Sequence, residues 1–439
     1  MNLAQLLFFG FGFTLSINQG FTIVLGTLSN GVARGADVVM PSDLFMYALF
    51  FLKSDWSAKS KYRNTVLYAK ILGLLFLVWS VSGEFVSLEP ADFRFGLVHL
   101  FRAVLVFVFI MTRVTTRKDV MALTSGLMIG LGFQALIGVW QWQIGPVSLP
   151  YINITNTWRS TGTVGPANAF GCYIAAMAPM AIRVGMFTKI KYKWLWLGIA
   201  VLCMGSLFAS FTRGAWLSFA VAMAFFIAID FKKKKLRRQQ KMILIAFSLI
   251  GMIFMSVKYG HVIMGRMEGA EEAIVSDKKH SRMGLALNAM EIINEHQMFG
   301  VGLNNYRYHS DEDIQGTRIV HNAYLLIMAQ QGIPGFSLFI LLHLVVFLSG
   351  FRILKIRDPV LYHIGSACLT GMASMLIYHM IAPDYRLVPV LLQHWRLLGM
   401  IPAIMVVDDR TRKMLKQKQY WAMHMRQQKA VQSPGLEPQ

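Results

Sequence analysis

The chain has 439 residues, of which 55% are hydrophobic and only 15% charged, with 28 Met, 31 Phe and a mean hydropathy of +0.49. That balance excludes an ordinary soluble domain and describes an all-α polytopic membrane protein, because only helices or closed barrels satisfy their backbone in hydrocarbon and the apolar stretches here are continuous, not alternating. The net charge of +21 sits in loops between apolar stretches, where a basic inner surface beside anionic lipid accounts for it and a nucleic-acid partner does not.

A helix needs about 20 apolar residues to cross a hydrocarbon core of roughly 30 Å. In chain order, candidate spans read 3–28, 40–53, 66–84, 96–112, 120–141, 167–185, 191–209, 213–230, 241–258, 333–350, 362–381 and 389–407, about 12 transmembrane helices. The first is interrupted by Asn18-Gln19-Gly20 and reads as a kinked or broken helix, and it lacks the charged start and cleavage site of a removable leader. The second is short and carries Asp43 near one end. Four regions follow: membrane helices in 1–258, a partly helical loop over 259–332, further membrane helices in 333–407 and a basic tail over 408–439.

Basic residues orient the bundle. Lys53, Lys59, Lys61 and Arg63 share one loop, Arg113, Arg117 and Lys118 a second, Arg183, Lys189, Lys191 and Lys193 a third, Lys232 to Arg238 a fourth and Arg352, Lys355 and Arg357 a fifth, followed by a tail with Arg410, Arg412, Lys413, Lys416 and Lys418. All fall on one side, the inner side by the excess of Lys and Arg in cytoplasmic loops, so both termini are expected inside and 259–332 outside. Cys172, Cys203 and Cys368 lie far apart within spans and read as small buried apolar residues.

The outward loops hold the polar groups that topology does not explain. Arg159-Ser-Thr-Gly-Thr163 and Gly165-Pro-Ala-Asn168 lead into a helix N-terminus, whose free N–H groups and positive dipole end suit an anion such as phosphate, with Arg159 as a forked donor; an ordinary turn with Asn168 as cap is the other reading. Ser210-Phe-Thr-Arg213 joins two spans so tightly that Arg213 lies at the outer surface. Arg282 opens an amphipathic segment that runs to Ile293, Gly300-Val-Gly302 breaks it into a turn, and His321-Asn-Ala-Tyr-Leu325 begins the next helix. His309-Ser-Asp311-Glu-Asp313 offers hard oxygen ligands for a divalent ion, although a short acidic run reads first as a solvated face. His394 and Arg396 lie deep in the last span, and Tyr378, His379, Asp384 and Arg386 flank the last outward turn; an internal hydrogen-bonded network accounts for them more simply than substrate contact.

Taken in order, Ser210-Phe-Thr-Arg-Gly-Ala215, the helix-opening Arg282, the Gly300-Val-Gly302 turn with Tyr306, His321-Asn-Ala-Tyr-Leu325 and Gln331-Gly-Ile-Pro-Gly335 resemble the O-antigen ligase family, which also includes O-antigen polymerases and some protein O-oligosaccharyltransferases. The motifs cover about 150–430. The resemblance implies a fold like the GT-C type glycosyltransferases and a metal-independent, cofactor-free transfer at the periplasmic face of the inner membrane. A glycan on undecaprenyl pyrophosphate would pass to a sugar hydroxyl of lipid A–core, with both substrates held in membrane lipid. By that likeness His321 is the catalytic base, Arg213 and Arg282 hold the pyrophosphate, and Arg159, Asn168, Asn322, Tyr324, Tyr306, Arg386 and His379 are candidate substrate contacts. The residue types suit this chemistry: guanidinium forks match phosphate oxygens, a neutral imidazole accepts a hydroxyl proton, and direct attack inverts the anomeric centre. A transporter for the lipid-linked glycan is the reading from another class; it would be expected to show repeated halves and polar groups near mid-membrane, whereas no internal repeat is seen and the polar groups concentrate at one face.

Overall fold

The computed structural model describes residues 2–16, 21–27, 33–52, 60–145, 159–188, 192–232, 281–310 and 319–432. The expected span 241–258 and the acidic run Asp311-Glu-Asp313 lie outside these residues. Among the described residues, eight helices are long and apolar enough to cross a membrane: α3 (Arg63–Val81, continued by a 3₁₀ turn to Val86), α4 (Pro90–Arg113), α5 (Arg117–Ile144), α6 (Ala167–Phe187), α8 (Arg213–Lys232), α10 (Ala323–Gly350), α11 (Pro359–His379) and α12 (Val388–Gln432). Three shorter apolar helices, α1 (Leu3–Thr14), α2 (Pro41–Leu52) and α7 (Lys193–Ala209), pack among them. The chain is a multi-pass membrane protein, with large apolar side chains such as Leu75, Val78, Leu341, Leu344 and Leu348 turned outward where lipid would lie. The apolar window of α12 is wholly enclosed by the other helices.

The expected first span, 3–28, is not one helix. Helix α1 stops at Thr14, about 18 Å long at 1.5 Å per residue and too short to cross alone. The β-favouring run Phe21-Thr-Ile-Val-Leu25 then forms strand β1 (Phe21–Thr27), which pairs antiparallel with β2 (Ala33–Val39). A helix ending inside a bundle leaves carbonyls that must find donors. Here Arg396 Nη1 donates to the Leu15 carbonyl at 3.0 Å and Gln134 Nε2 to the Ser16 carbonyl at 2.7 Å. That is the role of the deeply buried Arg396, whose other bonds go to the Tyr173 hydroxyl and the Gln393 carboxamide.

Other buried charges are likewise paired. Asp43 accepts from Arg102 at 3.2 Å and from the Met40 amide. Arg183 and Asp230 meet at 2.6 Å, with the Tyr362 hydroxyl donating to the same carboxylate. Of the basic loops that the charge pattern placed on one side, those around 60–63, 113–118 and 352–357 meet the start of the tail at one end of the bundle, while Arg183 is enclosed within α6. Arg117 pairs with Asp358 at 2.8 Å, the Lys61 amide and Ser60 hydroxyl bond to Asp409, and Arg412 reaches the Lys355 carbonyl. Helix α12 continues past the expected end at 407 to Gln432, so the tail is helical over most of its length.

The loop after α8 is described from Ser281. Helix α9 (Arg282–Glu295) lays Ala289, Ile292 and Ile293 into a small second core with Val301, Tyr306, Val320, Leu326 and Ala329. Its far end is fastened to a break in α10. Gly332 leaves the helical region at φ 68°, and Pro334 has no N–H to offer the carbonyl one turn back. The carbonyls exposed by the break are taken from outside: Val301 N donates to Ala329 O, Gly302 N to Gln330 O and Trp79 Nε1 to Gln331 O, all within 3.0 Å, while Ile333 N donates to Gln297 O. The Gly300-Val-Gly302 turn is thus a plug for a broken helix. Gly300 sits at φ 67°, and a Cβ there would lie 2.4 Å from the Gln330 carbonyl carbon, which is backbone and cannot swing aside. We expect Gly300→Ala to destabilise the protein by about 1–3 kcal/mol, read as a lower thermal midpoint in detergent. A midpoint equal to that of the parent would show that the turn is not held in this way.

Candidate active site

At the end of the bundle opposite the basic loops, α7 reverses into α8 through Ser210-Phe-Thr212, with Phe211 forced to φ 50°. Side-chain bonds hold that reversal in place. Arg159 Nε donates to the Ser210 carbonyl at 2.8 Å and its Nη2 to Asn168 Oδ1 at 2.8 Å, while the Thr212 hydroxyl donates to the Ala167 carbonyl at 3.0 Å. The starts of α6 and α8 are therefore locked side by side. Pro166 precedes α6 without any side-chain cap, so its first amides are not capped by a side chain; Asn168, weighed as that cap, is spent on Arg159 instead.

Arg213 is the first residue of α8 and Arg282 the first of α9. Both side chains are exposed, and among the described residues neither has a hydrogen-bond or ion-pair partner. A helix start carries a partial positive charge, so an arginine there works slightly against stability and an anion between the arginines would gain from both the guanidinium forks and the dipoles. Since the far end of α9 is fastened at 329–333 while Ala289 and Ile292 cluster with Val320 and Leu326, α9 runs back towards the start of α10. That direction carries Arg282 to the His321 end.

His321 precedes α10, whose first amides, Tyr324 N and Leu325 N, are capped by Asn322 Oδ1. The exposed imidazole has its Nδ1 2.9 Å from the Ile319 carbonyl. A carbonyl can only accept, so Nδ1 carries the proton and, in the neutral ring, Nε2 presents a lone pair to the outside. Tyr324, two residues into the helix, ties it to α11 by donating to the Leu376 carbonyl at 2.8 Å.

Asp384 connects these parts. It lies buried in the turn between α11 and α12 and accepts from the Tyr378 hydroxyl at 2.6 Å. Burial pushes its carboxyl up from the ordinary carboxylate range, opposed by the Tyr378 bond and by the charges of Arg386 and His321. Tyr378 in turn reaches the Asn168 carbonyl at 3.1 Å and packs beside Gly214 at the start of α8. Arg159, Asn168, Arg213, His321, Asp384 and Arg386 therefore share one face.

Two expected substrate contacts are placed otherwise. His379 is fully enclosed, its Nε2 3.2 Å from His394 Nδ1, and His394 Nε2 lies 2.5 Å from His343 Nε2, so all three rings form a buried chain between α10, α11 and α12. This is the internal network considered for His394. Tyr306 is also buried, its ring in the second core and its hydroxyl 3.4 Å from Asn288 Oδ1; burial pushes the phenol up to about 12. Their spacing from outward motifs placed both residues near the surface, but side-chain direction turned them inward. The pairing of Asp384 with Tyr378 carried no motif signal; only an ionisable residue in a short outward turn hinted at it.

No curated protein matches the chain. Residues 171–340, which run from within α6 through Arg213, Arg282 and His321 into α10, match the family profile described as O-antigen ligase. Over that stretch the chain is similar to the O-antigen ligase family, and the matched residues include Arg213, Arg282 and His321.

Proposed function

We propose that this protein is an O-antigen ligase. It transfers a glycan from undecaprenyl pyrophosphate to a sugar hydroxyl of lipid A–core at the periplasmic face of the inner membrane, in a GT-C-like bundle of about 12 spans with both termini cytoplasmic. The observation that carries this reading is a pair of arginines at helix starts, without partners among the described residues, in the same matched stretch as an imidazole whose Nε2 faces outward. His321 Nε2 takes the proton of the acceptor hydroxyl while that oxygen bonds to the anomeric carbon. The bond from that carbon to the pyrophosphate oxygen breaks, and the charge left on the pyrophosphate is met by Arg213 and Arg282. One displacement inverts the anomeric centre. The proton on His321 passes to water before the next turnover. Arg159 and Asn168 position the α8 start, and Asp384 orients the charged groups around His321.

The deciding experiment is a lipopolysaccharide gel on cells lacking the gene, with the lipid-linked glycan pool analysed in parallel. A ligase leaves bare lipid A–core and long glycan accumulating on its carrier. Core capped with a single repeat would mean the polymerase of the same family. An unchanged ladder would point to protein glycosylation or transport. With cations supplied by arginine, transfer by purified protein is expected to persist in excess chelator; its loss, restored by a divalent ion, would overturn the metal-independent scheme.

A further inference from the structure

A cavity of about 240 Å³ opens beside His321, lined by Phe95, Asn304, Arg307, Ile319, Gln330 and Arg386 among others. Ile319 is the residue whose carbonyl holds the His321 ring, so the cavity and the imidazole share a wall. Neither Arg213 nor Arg282 lines it.

Two groups in its walls lack partners among the described residues. Gln330 is only 6% exposed, and although its backbone carbonyl is taken by Gly302, its carboxamide bonds to nothing. Arg307 gives Nη2 to Asp92 and to the Tyr308 hydroxyl, yet its Nε is buried and unpaired. A buried guanidinium N–H such as Arg307 Nε loses free energy unless something answers its hydrogen bond, and the carboxamide of Gln330, which lines the cavity, offers a ligand both donors and an acceptor. Because Asp92 offsets the charge of Arg307, the want is for hydroxyl groups more than for a second anion. Phe95, Ile319, Leu387 and Val388 give the cavity apolar lining as well. A ring with hydroxyls around its rim and C–H groups on its faces matches both kinds of lining, and the volume lies below the roughly 300–1,000 Å³ of sites for larger ligands.

We propose that this cavity seats a single sugar ring of the acceptor, with Gln330 and Arg307 as the residues that recognise it. The proposal rests on the transferase reading above. A base must stand next to the hydroxyl it deprotonates, so the partner on the His321 side is the acceptor. The phosphate-binding arginines lie elsewhere on the face, which leaves the donor's pyrophosphate outside the cavity.

The test uses the full-length protein in lipid discs, purified lipid A–core, undecaprenyl pyrophosphate-linked glycan and lipid-free core oligosaccharide as a competitor. Gln330→Leu removes the carboxamide at similar volume, and Val388→Trp fills the cavity from another wall without touching the buried bonds. With the thermal midpoint retained, each variant is expected to raise the acceptor KM about tenfold or more, the scale of one buried neutral hydrogen bond. The donor KM should move less than about twofold, and the oligosaccharide should cease to compete. Direct binding of the oligosaccharide to His321→Ala protein, weakened by adding Gln330→Leu, checks the site without turnover. Unchanged acceptor KM and unchanged binding in both variants, or equal losses for both substrates, would overturn the pocket. Full activity of His321→Ala would instead overturn the transfer scheme on which it rests.

Discussion

His321→Ala should lower transfer by about 100- to 10,000-fold while leaving folding and donor binding intact. The imidazole is exposed, and its single bond runs to the Ile319 carbonyl, so its removal opens no cavity and strands no buried donor. The loss should therefore fall on kcat. Assays on protein in lipid discs, with lipid-linked glycan in excess, would measure it. A kcat within a few-fold of the parent would remove His321 from the proton transfer and leave it an orienting role at most.

Arg213→Ala should cost about 100- to 1,000-fold in kcat/KM, the scale of losing one preorganised donor to a developing oxyanion. Arg213 has no partner among the described residues, so the effect cannot come from a broken structural ion pair. Arg213→Lys keeps the charge and loses the fork, and should recover only part of the activity, because an ammonium meets phosphate oxygens as a point charge. Arg282→Ala should behave alike, and the double variant should fall short of the product of the single losses, since both act on one leaving group. Equal activity of Arg213→Lys and the parent would show that charge alone matters, and full activity of Arg213→Ala would place the pyrophosphate elsewhere.

Much of the site was legible because helix starts and loop chemistry are local. The tight Ser210-Phe-Thr link forces Arg213 to the surface, and His321-Asn-Ala-Tyr-Leu325 opens an apolar helical run, whatever else the chain does. Arg159 was legible only as a cation near a helix start. Its commitment to the Ser210 carbonyl and Asn168 depends on which elements pack together, and no spacing in the sequence expresses that.

What the sequence by itself determined was the class of protein, most of the spans, the end of the bundle that gathers the basic loops and the order of the outward motifs. Each follows from transfer of side chains between water and hydrocarbon, which is summed residue by residue. The tertiary structure alone decided where the polar groups find partners. It ended the first span at Thr14 and met its carbonyls with Gln134 and Arg396 from distant helices. It made the Gly300-Val-Gly302 turn a plug for the break at Gly332, drew His379 into a buried chain with His394 and His343, and left Gln330 facing a cavity. Hydropathy is additive along the chain, whereas a buried hydrogen bond needs a donor and an acceptor at one point in space, and only the packed bundle brings them there.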